Sequence, residues 1–315
     1  MKRIPVAAVF TAVITLMFSA ATLADQKAVL VTGASTGIGL KITEKLSASG
    51  FYVYAGARKA ADLERLDAMD NVSSVRLDVT VQEDIDQAVT FVRKQGRGLY
   101  GVVNNAGVGS FSSLVDGPES DIDFTFDVNV YGPYRINQAF LPLLDESDGR
   151  TTIIGSIAGF IAGRSGIYSM SKFAVEAYTD SLAREIADTG VHVSIVEPGG
   201  FRSNFGITRA ARALAAADKG DIELTAEERA RYENIATRNT TRKDPAEVAD
   251  AVFDLLSSDS PKRRYMVTPN ERQAQATIEA AMRRVVQLNQ DQPYSYNRDG
   301  LVAVLDAMLD EIEKD

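Results

Sequence analysis

The 315-residue chain contains no cysteine and no tryptophan, and His192 is its only histidine. Without thiols there are no disulfides, no thiolate nucleophile and no cysteine-built zinc site. One imidazole, in the strand-like run Val191-His192-Val193-Ser194-Ile195-Val196, cannot furnish a histidine metal site and reads as a packed or solvated residue. No metal is expected. Basic charge is also short: 34 Lys and Arg stand against 43 Asp and Glu, a formal net charge of -9. Nucleic-acid binding draws its affinity from clustered cations, so that class of partner is discounted. Repeats and low-complexity tracts are absent, and 45% hydrophobic with 24% charged residues is an ordinary globular composition.

The N-terminus is unlike the rest. Lys2 and Arg3 precede a weakly polar-to-apolar run from Val6 to Phe18, and small residues Thr22 and Ala24 stand before Asp25. That order is a secretory signal peptide over residues 1–24, which implies export to a periplasm or beyond. Two alternatives stay open. Residues 4–23 approach the ~20 that span a bilayer, so they could anchor the chain to a membrane; a start at Met17 would leave the protein cytoplasmic.

From Lys27 onward, short β-rich runs alternate with longer amphipathic stretches. Strands are expected at Ala28 to Thr32, Phe51 to Ala57, Ser74 to Leu77, Gly101 to Asn104, Thr151 to Gly155, Val191 to Glu197 and Arg264 to Thr268. Helices are expected at Ile38 to Ser49, Glu83 to Gln95, about Asp121 to Leu144 and about Tyr168 to Asp188. Strands separated by such helices pair in parallel, which predicts a doubly wound α/β sheet across residues 25–268. Regularity stops after Pro198-Gly199, and residues 199–243 read as an insert covering a substrate site. Residues 269–315 carry helical spacing around Pro293 and read as a helical extension packed on the same domain.

Thr32-Gly33-Ala34-Ser35-Thr36-Gly37-Ile38-Gly39 lies between the first strand and the first helix. Glycines there permit a tight turn and close backbone approach to a pyrophosphate, and the helix N-terminus offers free N–H groups. In order and approximate spacing, this segment, Asn104-Asn105-Ala106-Gly107, Ser156, Tyr168-x-x-x-Lys172 and Pro198-Gly199 resemble the short-chain dehydrogenase/reductase family, over roughly residues 27–268. The glycine spacing is similar to the family's simple-oxidoreductase branch. The resemblance implies a Rossmann-like fold of about seven parallel strands, a nicotinamide cofactor across their carboxyl edge, and alcohol–carbonyl oxidoreduction. It implies cofactor contacts from Gly33, Ser35, Thr36, Gly37, Ile38 and Gly39, from Asp78 and Val79 near the adenine, and from Asn105, Ala106 and Gly107. Tyr168, Lys172, Pro198, Gly199 and Ser203 complete that set, with Ser203 standing where threonine is more usual. Family members commonly form dimers or tetramers through the helices that carry Asn129 and Tyr168, so a homodimer or homotetramer is expected.

A carboxylate at the end of the second strand would bind the ribose diol of NAD and repel a 2'-phosphate. None occurs from Phe51 to Ala61; Arg58 and Lys59 stand there instead, which favours NADP(H) over NAD(H). The same two residues could also be a solvated strand end.

Tyr168 and Lys172 lie one helical turn apart on one face. An ammonium ~4 Å from a phenol at an effective dielectric of ~20 favours the phenolate by ~4 kcal/mol, roughly three pK units, enough to bring it into range near neutral pH. Ser156 ends an apolar strand 12 residues earlier, about one residue closer than the family pattern, so the Gly163-Arg164-Ser165-Gly166 turn is expected to be unusual. Ser156 would hold the substrate oxygen. Asn129 matches the family's fourth catalytic position, and Pro133, which has no N–H, should kink the helix and free the Asn129 carbonyl to hold a water. The resemblance then implies a proton path from Tyr168 through the ribose hydroxyls and Lys172 to that water. Phe160, Ile161, Phe201, Phe205, Ile207 and Leu214 are expected to wall an apolar pocket for a steroid-, retinoid- or lipid-like alcohol or carbonyl. Arg202, Arg209 and Arg212 either bind an acidic group or face water. The rival reading is a noncatalytic dinucleotide-binding sensor or scaffold on the same fold.

Overall fold

The computed structural model describes residues 26–163, 166–235 and 241–312. The N-terminal segment 1–24 and the Arg164-Ser165 part of the turn before Tyr168 therefore lie outside the described residues. Among those described, no helix is long and apolar enough to cross a membrane.

Seven strands form one sheet: β1 (Ala28–Val31), β2 (Tyr52–Ala57), β3 (Val72–Arg76), β4 (Gly101–Asn104), β5 (Arg150–Ile154), β6 (His192–Pro198) and β7 (Arg264–Val267). Their order is β3-β2-β1-β4-β5-β6-β7, and every pairing is parallel. The chain reverses direction across the sheet between β1 and β4, where the carboxyl ends of neighbouring strands splay into a crevice. β1, β4 and β5 are buried at every position, as strands covered on both faces must be.

The strand alternation divides the core between two faces. Leu30, Val102, Ile153 and Ile195 face α3 (Gln82–Gln95), α5 (Gly132–Asp145) and α6 (Gly166–Glu185), packing with Ile85, Val92, Ile136, Phe140 and Val175. Val29, Val31, Val103, Ile154 and Val196 face α1 (Gly37–Ala48) and α9 (Ala246–Ser257), packing with Ile42, Leu46, Val248, Val252 and Leu256. His192 opens β6 and is exposed.

Three regions differ from the sequence expectation. The single helix expected from Asp121 to Leu144 is α4 (Glu119–Phe126), a π-helical turn (Asp127–Tyr131) and then α5. In that turn the Gly132 N–H bonds the Asp127 carbonyl, five residues back; Pro133 has no N–H to give Asn129, so the helix widens where a kink was expected. The insert is not irregular: it holds α7 (Phe205–Lys219), ended by left-handed Gly220, and α8 (Ala226–Glu233), begun by a Thr225/Glu228 capping box. Between β2 and β3 runs a short α2 (Ala60–Asp67), which the sequence pattern did not mark. By its internal contacts the chain divides after Pro269, and the described residues from Asn270 to Ile312 form a second compact unit. It comprises α10 (Glu271–Asn289) and α11 (Arg298–Ile312).

Candidate active site

The turn after β1 is fixed by side chains as well as glycines. Gly33 (φ 63°) and Gly37 (φ 58°) adopt the left-handed region that a Cβ disfavours. A Cβ on Gly39 would sit 2.3 Å from the Gly33 carbonyl oxygen and 2.4 Å from Asn105 Nδ2, so only glycine lets α1 start there. Thr32 Oγ1 accepts the N–H groups of Asn105 and Ala106, each at 3.0 Å, and Asn105 Nδ2 donates to the carbonyls of Thr32 (2.9 Å) and Gly33 (3.1 Å). The turn and the end of β4 are thus one rigid piece. Thr36, the N-cap of α1, makes no side-chain cap bond, which leaves the first-turn N–H groups of α1 for an anion. Ser203 packs against this turn: a Cβ on Gly37 would come within 2.9 Å of Ser203 Cβ.

At the far ends of β2 and β3, Arg58 donates to Asp78 at 3.2 Å. Burial alone would push the Asp78 carboxyl up; the Thr80 backbone and hydroxyl and the Arg58 guanidinium outweigh it and hold Asp78 below the usual range. Arg65, in α2, donates to the Ser35 carbonyl at 2.6 Å and to Asp62 at 3.0 Å. Val79 is a packing residue against α5, where a Cβ on Gly132 would stand 2.8 Å from its Cγ2.

Ser156, Tyr168 and Lys172 converge at the carboxyl end of β5. Ser156 caps the short 3-10 turn Ile157–Gly159 by accepting the Ala158 N–H at 3.1 Å, and its hydroxyl reaches the Pro198 carbonyl at 3.4 Å. It is also near enough to the Tyr168 phenol to lower that group's pKa against the effect of burial. Lys172 is buried, donates to the Ile154 carbonyl at 2.8 Å and lies 5.7 Å from the centroid of the Tyr168 ring. Gly199 donates to the Val267 carbonyl at 2.7 Å, which anchors the Pro198-Gly199 turn to β7.

Asn129 does not touch these groups directly. Its side chain clasps Val108 in both directions, N–H to Oδ1 at 2.8 Å and Nδ2 to carbonyl at 2.9 Å, and donates to Ser171 at 3.0 Å. Ser171 in turn donates to the Tyr168 carbonyl at 2.8 Å, and Ser110 accepts the Tyr168 N–H at 3.1 Å. Thr32, Ser110 and Ser171 were not singled out from sequence: small hydroxyl residues are common, and only their position beside Gly33 or on the Tyr168 helix sets them apart.

The expected acidification of Tyr168 by Lys172 is not what the protein shows. Burial pushes the phenol up to about 12 against the lowering effect of Ser156, and burial pushes Lys172 down to about 8 against the raising effect of Glu176. In each case the charged form loses more on leaving water than the neighbour, Ser156 or Glu176, gives back.

The proposed pocket walls also need correction. Phe201 belongs to the core beside Val248 and Val252, and Leu214 packs with Tyr232 and Phe111. Phe205 does reach the site, its ring 5.0 Å from that of Tyr168, and Phe160 and Ile161 are half-buried after Ser156. Arg212 forms an ion pair with buried Asp121 at 2.6 Å and donates to the Gly109 carbonyl at 2.8 Å. Arg202 pairs with Asp244 at 2.6 Å.

A glycine turn at the switch point of a parallel sheet, with serine, tyrosine and lysine gathered at the neighbouring strand end, defines a dinucleotide-binding oxidoreductase of the Rossmann type. The comparisons narrow the class. The short chain dehydrogenase family model matches residues 27–213. The uncharacterized oxidoreductase YbbO of Escherichia coli is 34% identical over 249 residues, covering 77% of this chain and 86% of that one. Mitochondrial D-beta-hydroxybutyrate dehydrogenase of Bos taurus is 34% identical over 266 residues, 76% of each chain. Retinol dehydrogenase 5 of Mus musculus is 37% identical over 189 residues, 57% of this chain and 58% of that one. Among solved structures, a short-chain dehydrogenase/reductase of Burkholderia phymatum in complex with NAD shares the fold (TM-score 0.71, 22% identity, 87% and 99% coverage). An alcohol dehydrogenase of Thermococcus sibiricus complexed with 5-hydroxy-NADP gives a TM-score of 0.61 at 25% identity, covering 77% and 96%. The chain belongs to the short-chain dehydrogenase family and is an oxidoreductase acting on CH–OH groups.

Proposed function

We propose that the protein interconverts an alcohol and a ketone or aldehyde on an apolar, steroid-, retinoid- or lipid-like substrate, using NADP(H) in preference to NAD(H). The observation that carries this reading is the gathering of Ser156, at the end of β5, with Tyr168 and the buried Lys172, whose ammonium donates to the Ile154 carbonyl at 2.8 Å and lies 5.7 Å from the Tyr168 ring centroid, at the strand end next to the glycine turn. The turn fits a dinucleotide, because Gly39 leaves no Cβ over it and no side chain caps α1. When bound, the cofactor supplies hydride exchange. The backbone of Gly33 to Gly39 would hold its diphosphate, and Lys172 its ribose. Ser156 orients the substrate oxygen, and Tyr168 gives or takes a proton at its phenolic oxygen. Asn129 fixes the loop after β4 at Val108, and its position in the π-helical turn supports a water-holding carbonyl.

NADP(H) preference is supported by Arg58, Lys59, Arg65 and Arg76 around the ends of β2 and β3. The Arg58–Asp78 pair is surface-exposed on the arginine side. Such pairs contribute about 0–1 kcal/mol, so a phosphate can recruit the guanidinium at little cost. An apolar substrate is supported by Phe205 against the Tyr168 ring, by half-buried Ile161 after Ser156, and by exposed Leu114 against Gly166 at the start of the Tyr168 helix. Exposed Tyr131, Tyr134 and Met170 on the helices flanking the site support a homodimer or homotetramer, for which sedimentation of a single ~34 kDa species would be the contrary result. Export or anchoring by residues 1–24 is tested by N-terminal sequencing of the mature protein.

Reduction of a panel of hydrophobic ketones by NADPH tests the central reading. Tyr168→Phe should lose at least ~10²-fold in turnover while still binding NADPH, and Arg58→Ala should raise KM for NADPH and not for NADH. Cofactor binding by the unaltered protein with no turnover on any ketone would favour the sensor.

A further inference from the structure

Behind the reacting groups lies a set of ionisable side chains that the reaction scheme does not use. Glu176 and Asp180 stand on α6, Glu197 near the end of β6 and Arg264 at the start of β7. Arg264 links them, reaching Asp180 at 2.8 Å, Glu176 at 3.3 Å and Glu197 at 3.6 Å. Glu176 is one turn beyond Lys172 on the same helix face. Its carboxylate lies against the Ser156 strand end: a Cβ on Gly155 would come within 3.3 Å of Oε1, and one on Gly159 within 3.0 Å. Both glycines therefore leave room for this carboxylate beneath the catalytic turn. Oε1 itself is buried with no hydrogen-bond partner among the described residues, an arrangement that costs stability.

We infer that Glu176 is a positioning residue whose carboxylate keeps the buried Lys172 ammonium charged, and that Arg264 keeps that carboxylate ionised. This rests on the reading of Lys172 as the group that holds the cofactor. Among the described residues the Lys172 ammonium donates to the neutral Ile154 carbonyl alone, so its charge is compensated through space by Glu176, whose effect opposes the loss of water around the amine. Burial pushes Glu176 up to about 7, and Arg264 and Lys172 pull it down while Asp180 pushes it up further. Glu197 is held up to about 8 by burial and by Glu176, so it is mainly protonated at neutral pH and adds little negative charge. At neutral pH Glu176 is thus close to its midpoint and Lys172 mainly charged, and each favours the charged form of the other. The chain Arg264–Glu176–Lys172 carries the influence of β7 into the cofactor cleft.

The test follows NADPH binding to the full chain by cofactor fluorescence from about pH 6 to pH 10. The unaltered protein should lose affinity as pH rises through about 8, where the ammonium deprotonates. Removing the carboxylate by Glu176→Gln lowers the ammonium's pKa, so this midpoint should move down by roughly one pH unit, and Glu176→Asp should restore it. Arg264→Met, in a residue outside the cleft, should move it the same way, with no further movement in the double variant; it also carries the test should Glu176→Gln not fold. An unmoved midpoint in both variants, with Lys172→Met abolishing the alkaline loss, overturns the inference and leaves the reading of Lys172 intact. If the alkaline loss survives in Lys172→Met, that reading falls, and the inference with it.

Discussion

The ring of Phe205, the first residue of α7, rests on the ring of Tyr168 with centroids 5.0 Å apart and planes at 61°. The helix supplied by the insert therefore begins on the proposed proton donor, and Phe205 shapes the space beside the phenol. Phe205→Ala removes an edge contact of about 0.5–1.5 kcal/mol beyond its burial. Several-fold higher KM for bulky apolar ketones is expected, with a smaller change in kcat. Steady-state kinetics check this; equal KM values in the two proteins would place substrate elsewhere.

Arg212 fastens the same helix to the loop after β4. Asp121, with a side chain 1% exposed, accepts Arg212 at 2.6 Å and the backbone N–H groups of Phe111 and Ser112 at 3.1 Å each. Arg212 also lies 4.3 Å from the Phe124 ring centroid. Arg212→Met leaves the carboxylate buried without its cation, a loss of about 3 kcal/mol or more. Thermal unfolding should show a clear drop in Tm, and Arg212→Lys should recover only part of it, because an ammonium cannot match the planar fork.

Gly39 tolerates no side chain. In Gly39→Ala, the new methyl must displace the Gly33 carbonyl or the Asn105 amide that locks the turn to β4. Cofactor affinity should fall by at least about tenfold, together with a lower Tm. Titration with NADPH measures the first and calorimetry the second; wild-type affinity would mean that the turn does not contact cofactor.

Glu197 makes the main domain lose stability as pH rises. Its folded pKa, about 8, lies above the ordinary 4.5, so between those values the folded state binds more protons than the unfolded chain. The stabilisation is present below 4.5 and is lost as pH rises through 8. Glu197→Gln, neutral throughout, should therefore raise Tm at pH 8 and not at pH 4, by roughly 2–4 °C per kcal/mol recovered. Equal Tm shifts at both pH values would show that the carboxyl does not titrate in this window.

The positions of the strands along the chain and of the glycine turn were legible in the sequence because both rest on local signals. A strand buried on both faces is a short apolar run, and only glycine makes the turn at Gly33 and Gly37. The seven strands consequently stand within a residue or two of their expected ends. α7 and α8 escaped notice because small alanines and exposed arginines weaken the apolar stripe, although left-handed Gly220 and the Thr225/Glu228 box mark their boundaries. Pro133 announced a fault in the helix, yet only the packed helix shows that it takes the form of a π-helical turn.

By itself, then, the sequence determined the sheet, the glycine turn, the pairing of Tyr168 with Lys172 on one helix face, and the family, since each depends on spacing along the chain. Tertiary structure alone decided which charges matter. Desolvation and through-space fields depend on what surrounds a group, so no spacing could show that burial opposes the ionisation of Tyr168 and Lys172. Nor could it show that Arg212 serves Asp121, or that Arg264, 88 residues from Glu176, stands beside it.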